Sequence, residues 1–94
     1  MASVVRVGDM CTGHSCFPPR KSTTGSSTFF IDSKPAVRVG DMWETHVCGN
    51  SAHSGIQETG SSTFFSDGKA VATLGKKINC GSYNAQGSPT FFTI

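Results

Sequence analysis

What this chain lacks narrows it first. Its 94 residues hold no apolar run near the roughly 18–20 residues of a membrane-spanning helix, so none is expected. No apolar stripe at helical spacing persists beyond two turns, so no helix of useful length is expected either. Charge is sparse: 8 Lys and Arg against 6 Asp and Glu leave a formal +2, too little to build a nucleic-acid-binding stripe. The opening Met1-Ala2-Ser3-Val4-Val5-Arg6 has no basic segment leading into an apolar one. No secretory signal is therefore expected, and synthesis in the cytoplasm is. Glutamate is nearly absent. Glu44 and Glu58 stand outside any helical His-Glu-x-x-His context, which disfavours a zinc hydrolase needing a base beside an open coordination position.

What is present is repetition. Arg6-Val7-Gly8-Asp9-Met10 returns as Arg38-Val39-Gly40-Asp41-Met42 and, weakly, as Thr73-Leu74-Gly75-Lys76-Lys77. Gly25-Ser26-Ser27-Thr28-Phe29-Phe30 returns as Gly60-Ser61-Ser62-Thr63-Phe64-Phe65 and Gly87-Ser88-Pro89-Thr90-Phe91-Phe92. Such periods mark a supersecondary unit that cannot bury its apolar face alone. Three units in one small domain, about 1–32, 33–68 and 69–94, point to a closed pseudo-threefold object.

Short runs rich in valine and phenylalanine, bounded by turn residues, predict an all-β fold. Strands are expected at about 4–7, 28–31, 36–39, 63–66, 70–74 and 90–93, with hairpin turns at 32–35 and 67–69. Alternation then places Phe29, Phe64 and Phe91 inside and turns Phe30, Phe65 and Phe92 to the opposite face. That second face is either also buried in a small core or an apolar docking surface.

Aligning the copies gathers the ligand-type residues. His14 and His46 each lie six residues beyond their glycine, Gly8 and Gly40, and Cys80 lies five beyond Gly75. A threefold arrangement converges them, and His53 is the remaining histidine to complete a tetrahedral set. Three imidazoles and one thiolate suit structural Zn²⁺, with iron a lesser alternative. Cys16 and Cys48 are also repeat-equivalent. They are alternatives to His53 as ligands, or partners in one disulfide. Cys11, Cys16 and Cys48 are otherwise read as free or accessory thiols.

The stretch Lys34-Pro35-Ala36-Val37-Arg38-Val39-Gly40-Asp41 resembles the Pro-Ala-Ala-Arg signature of PAAR-repeat proteins, with Val37 in place of the second alanine. The Gly-Ser-x-Thr segments are similar to that family's Gly-Ser-Pro-Thr-Val strand, and the resemblance spans essentially the whole chain. It implies a conical all-β tip with zinc at its apex, held by three histidines and one cysteine that map onto His14, His46, His53 and Cys80. The flat base of such a tip sits on a trimeric β-helical spike of a type VI secretion system, contractile phage tail or related injection particle. Phe30, Phe65 and Phe92 are the expected partner contacts, one tip per trimer. The tip is expected to be monomeric alone, to meet the target membrane transiently and to bind no nucleic acid. With the chain ending at Ile94, a bare tip is expected. The other classes are the zinc hydrolase and a disulfide-stapled secreted binding module. The third copy keeps neither the signature nor its aspartate, and the first lacks the proline.

Overall fold

A computed structural model of the chain describes residues 2–93. Eight strands occur among them, and six have only two residues: β1 (Ala2–Ser3), β2 (Phe30–Ile31), β3 (Lys34–Pro35), β6 (Phe65–Ser66), β7 (Lys69–Ala70) and β8 (Phe92–Thr93). The longer pair is β4 (Met42–Cys48) and β5 (Ser51–Ile56). Every pairing is antiparallel: β2 with β3, β6 with β7, β4 with β5, and β1 with β8. The molecule measures 38 × 24 × 21 Å.

Two of the short hairpins turn through Asp32-Ser33 and Asp67-Gly68. All four turn residues have positive φ, between 54° and 76°. Two such residues in succession match the right-handed twist of the flanking strands. In the third copy the hairpin is made by the chain's two ends. Phe92 pairs with Ser3 and Thr93 with Ala2, as Phe30 pairs with Pro35 and Phe65 with Ala70.

The threefold character is written into the backbone. The Val5 N–H donates to Ala72 O, Ala72 N–H to Val37 O, and Val37 N–H to Val5 O, at 2.8–2.9 Å. This closed cycle runs through three residues with no solvent exposure. It also explains why the runs expected at 4–7, 36–39 and 70–74 are not continuous strands. Successive residues there pair with different neighbours, Val4 with Thr73 and Arg6 with Ala36, or Ala36 with Arg6 and Arg38 with Val71, so no two-strand ladder accumulates.

Two apolar layers lie along this axis. In one, Val4, Ala36, Val71 and Ile31 pack with Phe29, Phe64 and Phe91, whose ring centroids form a triangle with sides of 5.5–5.6 Å. In the other, Val5, Val37 and Ala72 pack with Cys11, Trp43 and Ile78, each three residues beyond its copy's glycine. Cys11 is thus a core residue whose counterparts are an indole and an isoleucine. Cys80 packs against this second layer.

The Gly-Ser-x-Thr motif serves as a backbone clasp. Each serine hydroxyl accepts from two N–H groups ahead of it, Ser26 from Thr28 and Phe29, Ser88 from Thr90 and Phe91. The glycine lets a neighbouring copy approach. A Cβ on Gly60 would sit 2.6 Å from Val71 O, and one on Gly25 2.7 Å from Ala36 O. Arg-Val-Gly-Asp is a matching turn. The Asp9 carboxylate accepts from the Arg6 N–H and guanidinium, and Asp41 does the same for Arg38. Each guanidinium also reaches the aspartate of a hairpin turn, Arg6 to Asp32 at 2.9 Å and Arg38 to Asp67 at 2.8 Å. Those turn aspartates in turn receive Ser88 and Thr90, and Ser26 and Thr28. Three donors on Asp32 and four on Asp67, Ser66 being the fourth, favour the charged forms. The hydroxyls of Ser26 and Thr28, with Ser66 and Arg38, hold Asp67 down at about 2, and Asp32 is lowered by Ser88, Thr90 and Arg6. Arg6 and Arg38 are raised, chiefly by their bonds to Asp9 and Asp41.

Candidate functional site

The four ligand-type residues arrive from three separate segments. His46 on β4 stands directly opposite His53 on β5, so one hairpin supplies two imidazoles. His53 lies in the longest hairpin of the fold. That hairpin turns at Gly49-Asn50 and carries a register shift between Trp43 and His46. His14 sits at the base of a tight turn in which its N–H and C=O both bond Phe17, with Ser15 at φ 49°. Gly13 N–H donates to Ser82 Oγ at 2.8 Å, fixing the entry to that turn. Cys80 lies in the turn of the third copy. Asn79 docks that turn on β5, its N–H donating to Ile56 O and its side-chain oxygen accepting from Ile56 N–H.

One ligand atom from each of His14, His46, His53 and Cys80 lies within 4.8 Å of the other three. His53 Nε2 is 2.7 Å from His46 Nε2 and 3.0 Å from His14 Nε2. A tetrahedral Zn²⁺ with bonds of about 2.0–2.1 Å to nitrogen and about 2.3 Å to sulfur separates its ligands by roughly 3.3–3.6 Å. The cluster is at that scale. One imidazole N–H donates to only one of these neighbours at a time and leaves the other lone pairs converging beside a thiol, so the donor set fits a metal. His46 is 2 % exposed, and its Nδ1 is 3.0 Å from Pro18 O. With Nδ1–H donating to that carbonyl, Nε2 is left as a lone pair facing the cluster, the arrangement metal-bound histidines commonly use. Partial burial, then the neighbouring His46 and His14, push His53 below the usual imidazole range, toward the neutral ligand form.

Phe17 and Pro18 were not singled out by sequence reasoning, because neither has a repeat counterpart. Phe17 lies 4.3–4.9 Å, centroid to centroid, from all three imidazoles and walls the cluster. Gly55 on β5 is a third such residue. A Cβ there would stand 2.6 Å from Ile78 Cγ2 and 3.1 Å from Cys80 Sγ, so only glycine lets the Cys80 turn come this close. Cys16 and Cys48, left open between ligand, thiol and disulfide, form a disulfide with a Cα–Cα distance of 5.4 Å. Cys11 and Cys80 are free thiols.

Phe30, Phe65 and Phe92 do not join the cluster. They are 54, 57 and 45 % exposed, at equivalent places in the three hairpins, beside the layer that holds the aromatic triangle. The ligand cluster adjoins the other layer through Cys80. The two candidate sites therefore flank the core.

Together these features define a small β-repeat protein with a candidate metal centre, built for rigidity. The PAAR motif family profile matches residues 12–86, and the chain belongs to that family. Membership makes it a spike-tip protein of the type VI secretion and contractile-tail kind, structural and not an enzyme. No curated protein matches the chain.

Proposed function

We propose that this protein caps the end of a trimeric β-helical spike, one chain per trimer, and sharpens that end for piercing a membrane it touches only transiently. The observation that carries this is the set of three exposed phenylalanines, Phe30, Phe65 and Phe92, at equivalent points of a closed threefold backbone. One asymmetric chain meets three identical subunits with three similar patches. The three repeats, about 1–32, 33–68 and 69–94, are the units of that match. Their phenylalanines would bury on the order of a few hundred Å², several kcal/mol at about 25 cal/mol per Å² before association costs.

At the other end of the core, His14, His46, His53 and Cys80 would hold Zn²⁺ in a closed site, with iron less suited to the set. The ion would supply cross-linking, since binding free energy at a structural site is folding free energy. It ties three loops together where the apolar core is thin.

The test is stoichiometry. A recombinant spike end mixed with the full chain should give one tip per three spike chains, measured by light scattering after chromatography. The tip alone should be monomeric. A one-to-one chain ratio would overturn the threefold cap. Unchanged binding by a folded Phe65→Ser protein would remove the aromatic contacts while leaving the cap.

A further inference from the structure

The Cys16–Cys48 disulfide joins the tips of two hairpins. Cys16 is a turn residue of His14-Ser15-Cys16-Phe17, and Cys48 closes the β4–β5 turn opposite Ser51. Each cysteine stands two residues beyond a candidate ligand, His14 and His46. Cys16 is exposed and Cys48 partly so, which leaves the bond open to thiols in solution. The apolar core ends at Cys11, Trp43 and Ile78, below these turns. Beyond that layer the first and second copies meet through ring contacts around Phe17, the His46 bond to Pro18 O, the Glu44 N–H bond to Lys21 O and the contacts of Arg20 with Thr45 O and Glu44. The disulfide is the one covalent link between them among the described residues.

From this placement we propose that Cys16 and Cys48 form a redox-controlled clasp that sets how firmly the tip holds its metal. The inference rests on the metal reading above. When the disulfide is closed, the His14 and His46 turns are tied at the spacing the cluster needs, and metal binding orders little. When it is open, the ion must itself bring the two turns together and binds more weakly. Thiols stay reduced against glutathione in cytoplasm and pair in oxidising surroundings. The clasp is therefore open where the chain is made and closes outside.

Closure balances with glutathione disulfide as oxidant. The thiolate of one cysteine attacks it, giving a mixed disulfide and one glutathione thiol. The second cysteine's thiolate displaces the other glutathione. Two protein thiols become one disulfide, one glutathione disulfide becomes two thiols, and the protons pass to the glutathione products. Linkage makes the coupling reciprocal: whatever factor the disulfide adds to metal affinity, the metal adds to disulfide stability.

Zinc affinity of the full chain, measured by chelator competition in the oxidised and the fully reduced forms, tests this. The oxidised form should bind about tenfold more tightly, within the usual range of such couplings. In glutathione buffers, zinc should lower the reduction potential of the Cys16–Cys48 pair by about 30 mV, the same tenfold for a two-electron couple. Cys16→Ser should match the reduced wild type whatever the redox conditions. Equal affinity in both forms, or tighter binding by the reduced form, overturns the clasp while leaving the metal site standing. No zinc binding in either form overturns the metal reading, and this inference with it.

Discussion

At the residue scale the candidate centre depends on a few side chains that cannot be exchanged. Cys80 is the only ligand-type residue that the third copy brings to the cluster. Cys80→Ser should lose the metal and lower the melting temperature sharply, because structural zinc contributes on the order of 10 kcal/mol in metal-dependent small folds. The buried layers present here reduce the net loss. Elemental analysis with a thermal scan checks both effects, and unchanged zinc content would remove Cys80 from the set. Gly55→Ala tests the geometry without touching a ligand. Its Cβ would overlap Ile78, an overpacking expected to cost about 1–3 kcal/mol in urea unfolding and to weaken metal retention. His14, His46 and Cys80 were legible in the sequence because each recurs at nearly the same place after its glycine. Phe17, Pro18 and Gly55 were not, since what they do comes from packing between copies.

At the element scale the hairpin turns hold the copies together. Asp67 in one turn binds Ser26 and Thr28 of the preceding copy and Arg38 beside it, and Asp32 repeats this with Ser88, Thr90 and Arg6. Asp67 titrates at about 2 in the folded protein, against about 3.9 in an unfolded chain. A lowered folded value means that its stabilising effect is fully present above the unfolded value. The effect is lost as pH falls from about 4 toward 2. Metal-free protein should therefore lose stability across that window, and Asp67→Asn should be less stable at pH 7 with a flatter acid limb. Equal acid limbs in chemical denaturation would show that this turn carries no linkage. The Asp32 and Asp67 turns were legible from their residue types. The β4–β5 hairpin was not. Gly49-Asn50 is a fair turn signal, but Ser51-Ala52-His53-Ser54-Gly55 has little β-propensity, and the strand forms because the Cys80 turn and Trp43 pack against it.

At the scale of the whole molecule the three copies are not equal. Two carry the Arg–Asp pairs, while the third has Thr73 and Lys76 at those places, and its hairpin is assembled from β1 and β8. Deleting residues 1–3 should remove the Ser3 carbonyl that accepts from Leu74 N–H, along with the β1–β8 pair. At roughly 1 kcal/mol for each bond, the loss should be about 1–3 kcal/mol in urea unfolding. Spike binding should then fall at the Phe92 patch first. An undiminished midpoint would mean that the ring holds without its seam. The threefold plan was plain from the recurring motifs. The seam was hidden because Ser3-Val4-Val5-Arg6 reads as the start of the first copy, although its partner strand is the last to be made.

That seam has a consequence for how the protein comes into being. On the ribosome, β1 emerges well before β8 and must wait for it, with all three copies' turns between them. The backbone cycle through Val5, Val37 and Ala72 likewise needs all three copies at once. No partial ring is available to a nascent chain, and contacts so distant in sequence close slowly. Until Thr93 clears the exit tunnel, the valines and phenylalanines that will line the core stay exposed in an open chain. Folding of the ring therefore waits on the last strand of the third copy.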